Sequence, residues 1–76
     1  MAVKIQLYGQ LKQIAGTSEL LLDASDTDEL MKLMIARYPS LEKLNCLVAV
    51  DRNIIQGNTA ITDAQELALL PPYSGG

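Results

Sequence analysis

The residues whose types could do chemistry are the last six, Pro71-Pro72-Tyr73-Ser74-Gly75-Gly76. Two successive glycines at a terminus add nothing to a fold, because glycine gives up the most conformational freedom on ordering. What they supply is backbone without Cβ atoms, able to enter a narrow channel and present a terminal carboxylate to a reagent. The functional group expected is therefore the main-chain carboxylate of Gly76, with Gly75 as the slender segment behind it. A free α-carboxyl ionises at about 3.3–3.7, so it is an unreactive carboxylate at neutral pH. Before transferring anything it must become an acyl electrophile, for example an acyl-adenylate made with ATP by another enzyme. The chain itself has no GxxxxGK[ST] or GxGxxG nucleotide cradle. It has no histidine either, which excludes Ser-His and Cys-His nucleophiles and histidine metal sites.

The tail needs a mount. Pro71 and Pro72 cannot donate ladder hydrogen bonds, so they should end the last strand and stiffen its exit in a polyproline-like direction. Tyr73 to Gly76 then extend at most about 13 Å, enough to reach a partner's pocket only if the domain docks close by. Leu70, Pro71, Pro72, Tyr73 and Ser74 are thus the expected partner-binding residues, with Leu70 and Tyr73 as anchors. In the final strand Leu67 and Leu69 share one face, and Glu66, Ala68 and Leu70 the other. One helix can cover only one of those faces, so the opposite one should present an apolar patch.

Other side chains read as structural. Asp23, Asp26, Asp28 and Glu29 form the densest acidic cluster, but a calcium loop would need a central Gly and a bidentate Glu at its twelfth position. They read instead as helix caps that complement the helix dipole. Cys46 opens a buried-looking strand without a basic sequence neighbour, which describes a core thiol. Met31 and Met34 read as core fillers.

The 76 residues make one domain, expected over 1–72, with 73–76 as a flexible diglycine tail. A domain of this size buries only about 60% of its unfolded surface. With 49% hydrophobic residues and no Trp or Phe, its core must be aliphatic. A single cysteine excludes an intrachain disulfide framework and fits a reducing, cytoplasmic setting. Met1-Ala2 leads straight into the first strand, without a leader, and the apolar run at 67–72 is too short to span a membrane. A net charge of −3, with six scattered basic residues, argues against nucleic acid.

Periodicity places the elements. Residues 3–8 alternate as a strand, and Leu11, Ile14 and Ala15 form one amphipathic turn closed by Gly16. A second strand follows at 19–22. Asp26 caps the main helix, with Glu29 at the capping-box position. Leu30, Met31, Met34, Ile35 and Tyr38 form its apolar stripe, and Pro39 stops it. Strands are expected at 46–50, 54–55 and 66–70. This order predicts an α+β fold, the ubiquitin-like β-grasp, with a mixed sheet, one main helix and short helical turns.

The chain resembles a known family, the small ubiquitin-like sulfur-carrier subunits of molybdopterin synthase. The opening Lys4-Ile5-Gln6-Leu7-Tyr8-Gly9-Gln10-Leu11 through Ala15-Gly16 is similar to the family's first strand and short helix. So are the helix through Ala36-Arg37-Tyr38-Pro39 and the strand at Val48-Ala49-Val50. The specific match is Leu69-Leu70-Pro71-Pro72-Tyr73-Ser74-Gly75-Gly76, against a family ending of Pro-Pro, two variable residues and Gly-Gly. Ala64-Gln65 stands where Gly-Asp is usual, Tyr73 where a small or aliphatic residue is usual, and Lys12 where Arg is frequent.

The resemblance implies that Gly76 is adenylated by a ubiquitin-activating-type adenylyltransferase and converted to a thiocarboxylate with sulfur from a donor protein. It then donates that sulfur to cyclic pyranopterin monophosphate within the large subunit of molybdopterin synthase. The small subunit would be non-catalytic, bind no cofactor, leave ATP to its activating partner, and assemble as a heterotetramer. Three alternatives share the features read so far: a carrier for thiazole or another thio-product, a ubiquitin-like protein modifier, and a binding module with an idle tail. The Pro71-Pro72 pair and the short helix argue against the thiazole type.

Overall fold

Strand β1 (Ala2–Leu7) buries Val3, Ile5 and Leu7 and turns Lys4 outward, the period of two expected of a half-buried strand. The computed structural model describes residues 2–71. The expected domain boundary at 72/73 lies outside the described residues. Helix α1 (Gln10–Ala15) follows, pinned by buried Leu11 and ended by Gly16, whose left-handed backbone (φ 74°) donates its N–H to the Lys12 carbonyl. Strand β2 (Glu19–Asp23) returns antiparallel to β1, with Leu20 opposite Ile5 and Leu22 opposite Val3.

Helix α2 (Thr27–Arg37) begins as its cap predicts: the Asp26 carboxylate accepts from the Glu29 N–H at 2.8 Å. The return bond of the capping box lands one residue upstream. Glu29 Oε1 accepts from the Ser25 N–H at 2.7 Å and from the Ser25 hydroxyl at 3.1 Å. Leu30 and Met34 are fully buried, while Met31, Ile35 and Tyr38 pack partly against the core. Tyr38 has left the helical region (φ −130°, ψ 82°) ahead of Pro39, which ends the helix. A 3-10 turn (Pro39–Lys43) then buries Leu41.

Strand β3 (Leu47–Val50) starts one residue later than expected and β4 (Asn53–Ile54) one earlier. The two-residue turn between them holds both Asp51 and Arg52 at positive φ, the backbone of a primed hairpin turn. Asn53 Nδ2 braces it by donating to the Asp51 carbonyl at 3.1 Å. The departure at Ala64-Gln65 is absorbed without positive φ. The Gln65 N–H donates to the Thr62 carbonyl, and Gln65 Oε1 accepts from the Thr62 N–H at 2.8 Å. Strand β5 (Leu67–Leu70) completes a five-stranded sheet in the order β2-β1-β5-β3-β4. Among the described residues only β1 and β5 pair in parallel. A mixed sheet carrying one main helix is the β-grasp arrangement, and its core is aliphatic as the composition requires.

The helix N-terminus is also held from across the chain. Buried Thr27 accepts from the Thr59 N–H at 2.9 Å through its hydroxyl, and the Thr27 N–H donates to the Thr59 carbonyl at 2.9 Å. Asn58 Oδ1 accepts from the Asp28 N–H at 2.9 Å and the Thr27 hydroxyl at 3.3 Å. Thr27→Val keeps the shape but strips this clamp of its oxygen, leaving the Thr59 N–H without its acceptor. It should cost about 1–3 kcal/mol, read as a lower urea midpoint at unchanged m-value.

Candidate functional site

Strand β5 is bonded on both sides, by β1 and β3, so the last strand is the middle strand of the sheet. Leu67 and Leu69 point into the core at 1% and 0% exposure, while Ala68 and Leu70 face away from α2, half-buried. The expected division of the strand into a core face and an outer face holds. The ladder closes where the Tyr8 N–H donates to the Leu69 carbonyl at 3.3 Å, and the strand stops at Leu70, directly before Pro71. Of the expected site residues, Leu70 and Pro71 are placed. Pro72, Tyr73, Ser74, Gly75 and Gly76 lie outside the described residues.

Register assembles the outer face. Leu47 stands opposite Leu70, Ala49 opposite Ala68, and Ile54 opposite Ala49, so β5, β3 and β4 share an apolar outer face on which Ile54 is exposed, Leu47, Ala68 and Leu70 are half-buried, and Ala49 is buried. Ile54 is 55% exposed, and Tyr8 lies exposed just beyond the end of β1. The other half of the face is more polar. Lys4 and Gln6 line β1, and Gln6 Nε2 donates to Glu19 Oε2 of β2 at 2.9 Å, with exposed Leu21 the exception. Leu47, Ala49, Ile54 and Tyr8 were not recognised from sequence alone. The signal for them was strand register, which cannot be read before the pairing is known.

The other candidates stay structural. Asp26 and Glu29 are engaged in capping, and among the described residues no group of His, Cys, Asp and Glu is placed to hold a metal ion. Among the described residues, too, no helix is long and apolar enough to cross a membrane. Cys46 is not a full core residue as expected. It sits one position before β3, half-buried against the core's edge. Burial pushes its thiol pKa up, a backbone hydrogen bond partly opposing this.

A raised pKa favours the protonated thiol, and the thiolate is the nucleophile. Iodoacetamide should therefore alkylate Cys46 more slowly at neutral pH than it does an unfolded cysteine peptide. The rate should climb with pH through a midpoint above that of the peptide. A midpoint below the peptide's would mean an activated thiol.

Three known proteins share this frame. A molybdopterin synthase sulfur carrier subunit from Chlamydomonas reinhardtii is 29% identical over 83 residues, an alignment that covers both chains completely. A chain from the complex of subunits 1 and 2 of the molybdopterin-converting factor of Helicobacter pylori superimposes with a TM-score of 0.73 at 28% identity, covering 100% of both chains. The small archaeal modifier protein 1 from Methanosarcina acetivorans does so with a TM-score of 0.80 at 26% identity, over 99% of this chain and 96% of that one. The ThiS family matches across residues 5–76, from inside β1 through the diglycine, and the chain belongs to that family.

Proposed function

We propose that this chain is a sulfur carrier of molybdopterin biosynthesis whose reactive group is the main-chain carboxylate of Gly76. The observation that carries the reading is the coincidence of two features on one part of the sheet. Strand β5 ends at Leu70, directly before Pro71, and the apolar half-face of Leu70, Leu47 and Ile54 lies beside that point. A carrier needs this pairing: a surface that docks, and a slender arm that starts where docking happens. The Chlamydomonas relative supports the pathway by its name, and the Helicobacter neighbour supports a large-subunit partner, since it was solved as a complex of two subunits.

In this reading a carboxylate oxygen of Gly76 attacks the α-phosphate of ATP on an adenylyltransferase, forming the acyl-adenylate and releasing pyrophosphate. Sulfide-level sulfur supplied by a donor protein attacks the acyl carbon, the bond to AMP breaks, and a thiocarboxylate is left. The arm then enters the large subunit of molybdopterin synthase, where the sulfur passes to cyclic pyranopterin monophosphate. The domain contributes no acid, base or nucleophile to these steps. It contributes docking and reach, and the arm's lack of Cβ atoms at Gly75 and Gly76 lets it enter a narrow channel. The Methanosarcina neighbour favours a second reading, in which the same activated carboxylate is joined to lysines as a protein modifier.

Intact mass after co-expression with an adenylyltransferase and sulfur donor separates these readings. The carrier gains the increment of one O-to-S replacement, the modifier gives lysine conjugates, and an idle tail gives neither. Deleting Gly76 should abolish the increment and molybdopterin formation at unchanged thermal stability, and product from the deletion would end the proposal. Leu70→Glu should weaken large-subunit binding by about 2 kcal/mol or more, roughly thirtyfold in Kd, while the isolated domain stays folded. Unfolding of that isolated variant would instead make Leu70 a core residue.

A further inference from the structure

The turn between β1 and α1 touches the root of the tail. Gly9 caps α1 without any side-chain bond, in a backbone conformation (φ 59°, ψ −136°) that L-residues rarely adopt. Its carbonyl accepts from the Lys12 N–H at 3.1 Å, and that of Tyr8 accepts from the Leu11 N–H at 3.2 Å. The Tyr8 N–H holds the Leu69 carbonyl. The turn is thus fixed both to a helix pinned by buried Leu11 and to the last strand. Against it lies the Pro71 ring. A methyl group on Gly9 would stand 3.0 Å from Pro71 Cγ, tighter than carbon atoms ordinarily pack, so the ring would have to give by a few tenths of an ångström; its Cδ, at 3.7 Å, would be in ordinary contact.

We propose that Gly9 is a positioning residue for the Gly76 carboxylate, acting through the Pro71 ring. A proline ring fixes φ, so where the ring rests sets the direction of the backbone that follows. Pro72 comes next in sequence and restricts Pro71 to extended backbone, which carries the direction onward. The absence of a Cβ at Gly9 lets the ring settle against the turn. The inference rests on the carrier reading for its purpose, but the contact itself does not. Gly16 supplies an internal control: its φ is also positive, at 74°, yet a methyl there meets nothing within 4 Å.

The test uses the full chain with a nitroxide on Gln13→Cys in a Cys46→Ala background. Gln13 lines the same shallow depression as Gly9. Paramagnetic relaxation of the amides of Tyr73 to Gly76 reports the tail's direction. Gly9→Ala should alter that profile, while Gly16→Ala leaves it as in the parent although both lower Tm. Pro71→Ala, which removes Cγ and Cδ from the other side of the contact, should alter it as well and serves if Gly9→Ala does not fold. With the activating enzyme, Gly9→Ala should lose about tenfold in kcat for thiocarboxylate formation with KM within about twofold, because docking is intact and only the reactive geometry is displaced. Gly16→Ala should keep both constants. An unaltered relaxation profile in Gly9→Ala and Pro71→Ala, or an equal kcat loss in Gly16→Ala, overturns the inference. A parent chain that never becomes thiocarboxylated refutes the carrier reading alone, and the relaxation profiles then decide this one.

Discussion

Everything about this domain's exit depends on the parallel pairing of β1 with β5. Ile5 pairs with Leu67, Gln6 with Ala68 and Leu7 with Leu69, and four of these six side chains are core residues with essentially no exposure. A parallel pair cannot be closed by a tight turn, so the intervening chain must travel around the sheet to return. That journey contains α2, the 3-10 turn and the β3–β4 hairpin. The result puts the last strand at the centre of the sheet, with both of its edges hydrogen-bonded. An edge strand frays and would release the tail from a moving origin. A central strand releases it from the most constrained place in the fold, next to the turn that ends β1.

One helix across five strands makes the second consequence unavoidable. Helix α2 and the loops it supports bury one face, where Leu67 and Leu69 point into the core, while half-buried Ala68 and Leu70 stand on the other. Most such faces are polar. Here the half made by β5, β3 and β4 carries Leu70, Ala68, Leu47 and Ile54 around buried Ala49, while Lys4, Gln6 and Glu19 keep most of the β1–β2 half wet. Apolar surface removed from water is worth about 25 cal/mol per Å², so a partner covering that half gains without needing a charge match. The same half borders Pro71, so in the proposed function docking and delivery would be one geometric problem.

Much of this was legible in the sequence, and the parts that were not share a cause. The alternation in β1, the left-handed Gly16 after α1, the Asp26 cap and the stop at Pro39 are local. Each is decided by residues within a turn of one another, and each stands where the pattern puts it. The 3-10 turn escaped because Leu41 and Leu44 follow Pro39 too briefly to show a period. The Asp51-Arg52 turn has positive φ at two residues without glycine, so no breaker signals its type. The Thr27–Asn58 clamp and the Gly9–Pro71 contact join residues far apart in the chain, and nothing at either end alone marks them. Cys46 misled in a milder way: an apolar run implied a core thiol, but the strand begins one residue later and leaves it at the rim.

The site therefore has an unusual division of labour. In most sites chemistry is carried by side chains, and backbone geometry is the means of aiming them. If the reactive group is a main-chain carboxylate, no substitution can change its intrinsic reactivity, and the sequence acts on function only through shape. The residues that matter are then those that define an origin and a direction. Leu67 and Leu69 fix the origin by burial, Tyr8 and Gly9 hold the turn beside it, and the Pro71 ring lies against that turn. Glycine appears at both ends of this arrangement for one reason. At Gly9 a missing Cβ leaves room for the Pro71 ring, and in the proposed function the missing Cβ atoms at Gly75 and Gly76 would let a partner's channel close around the tail.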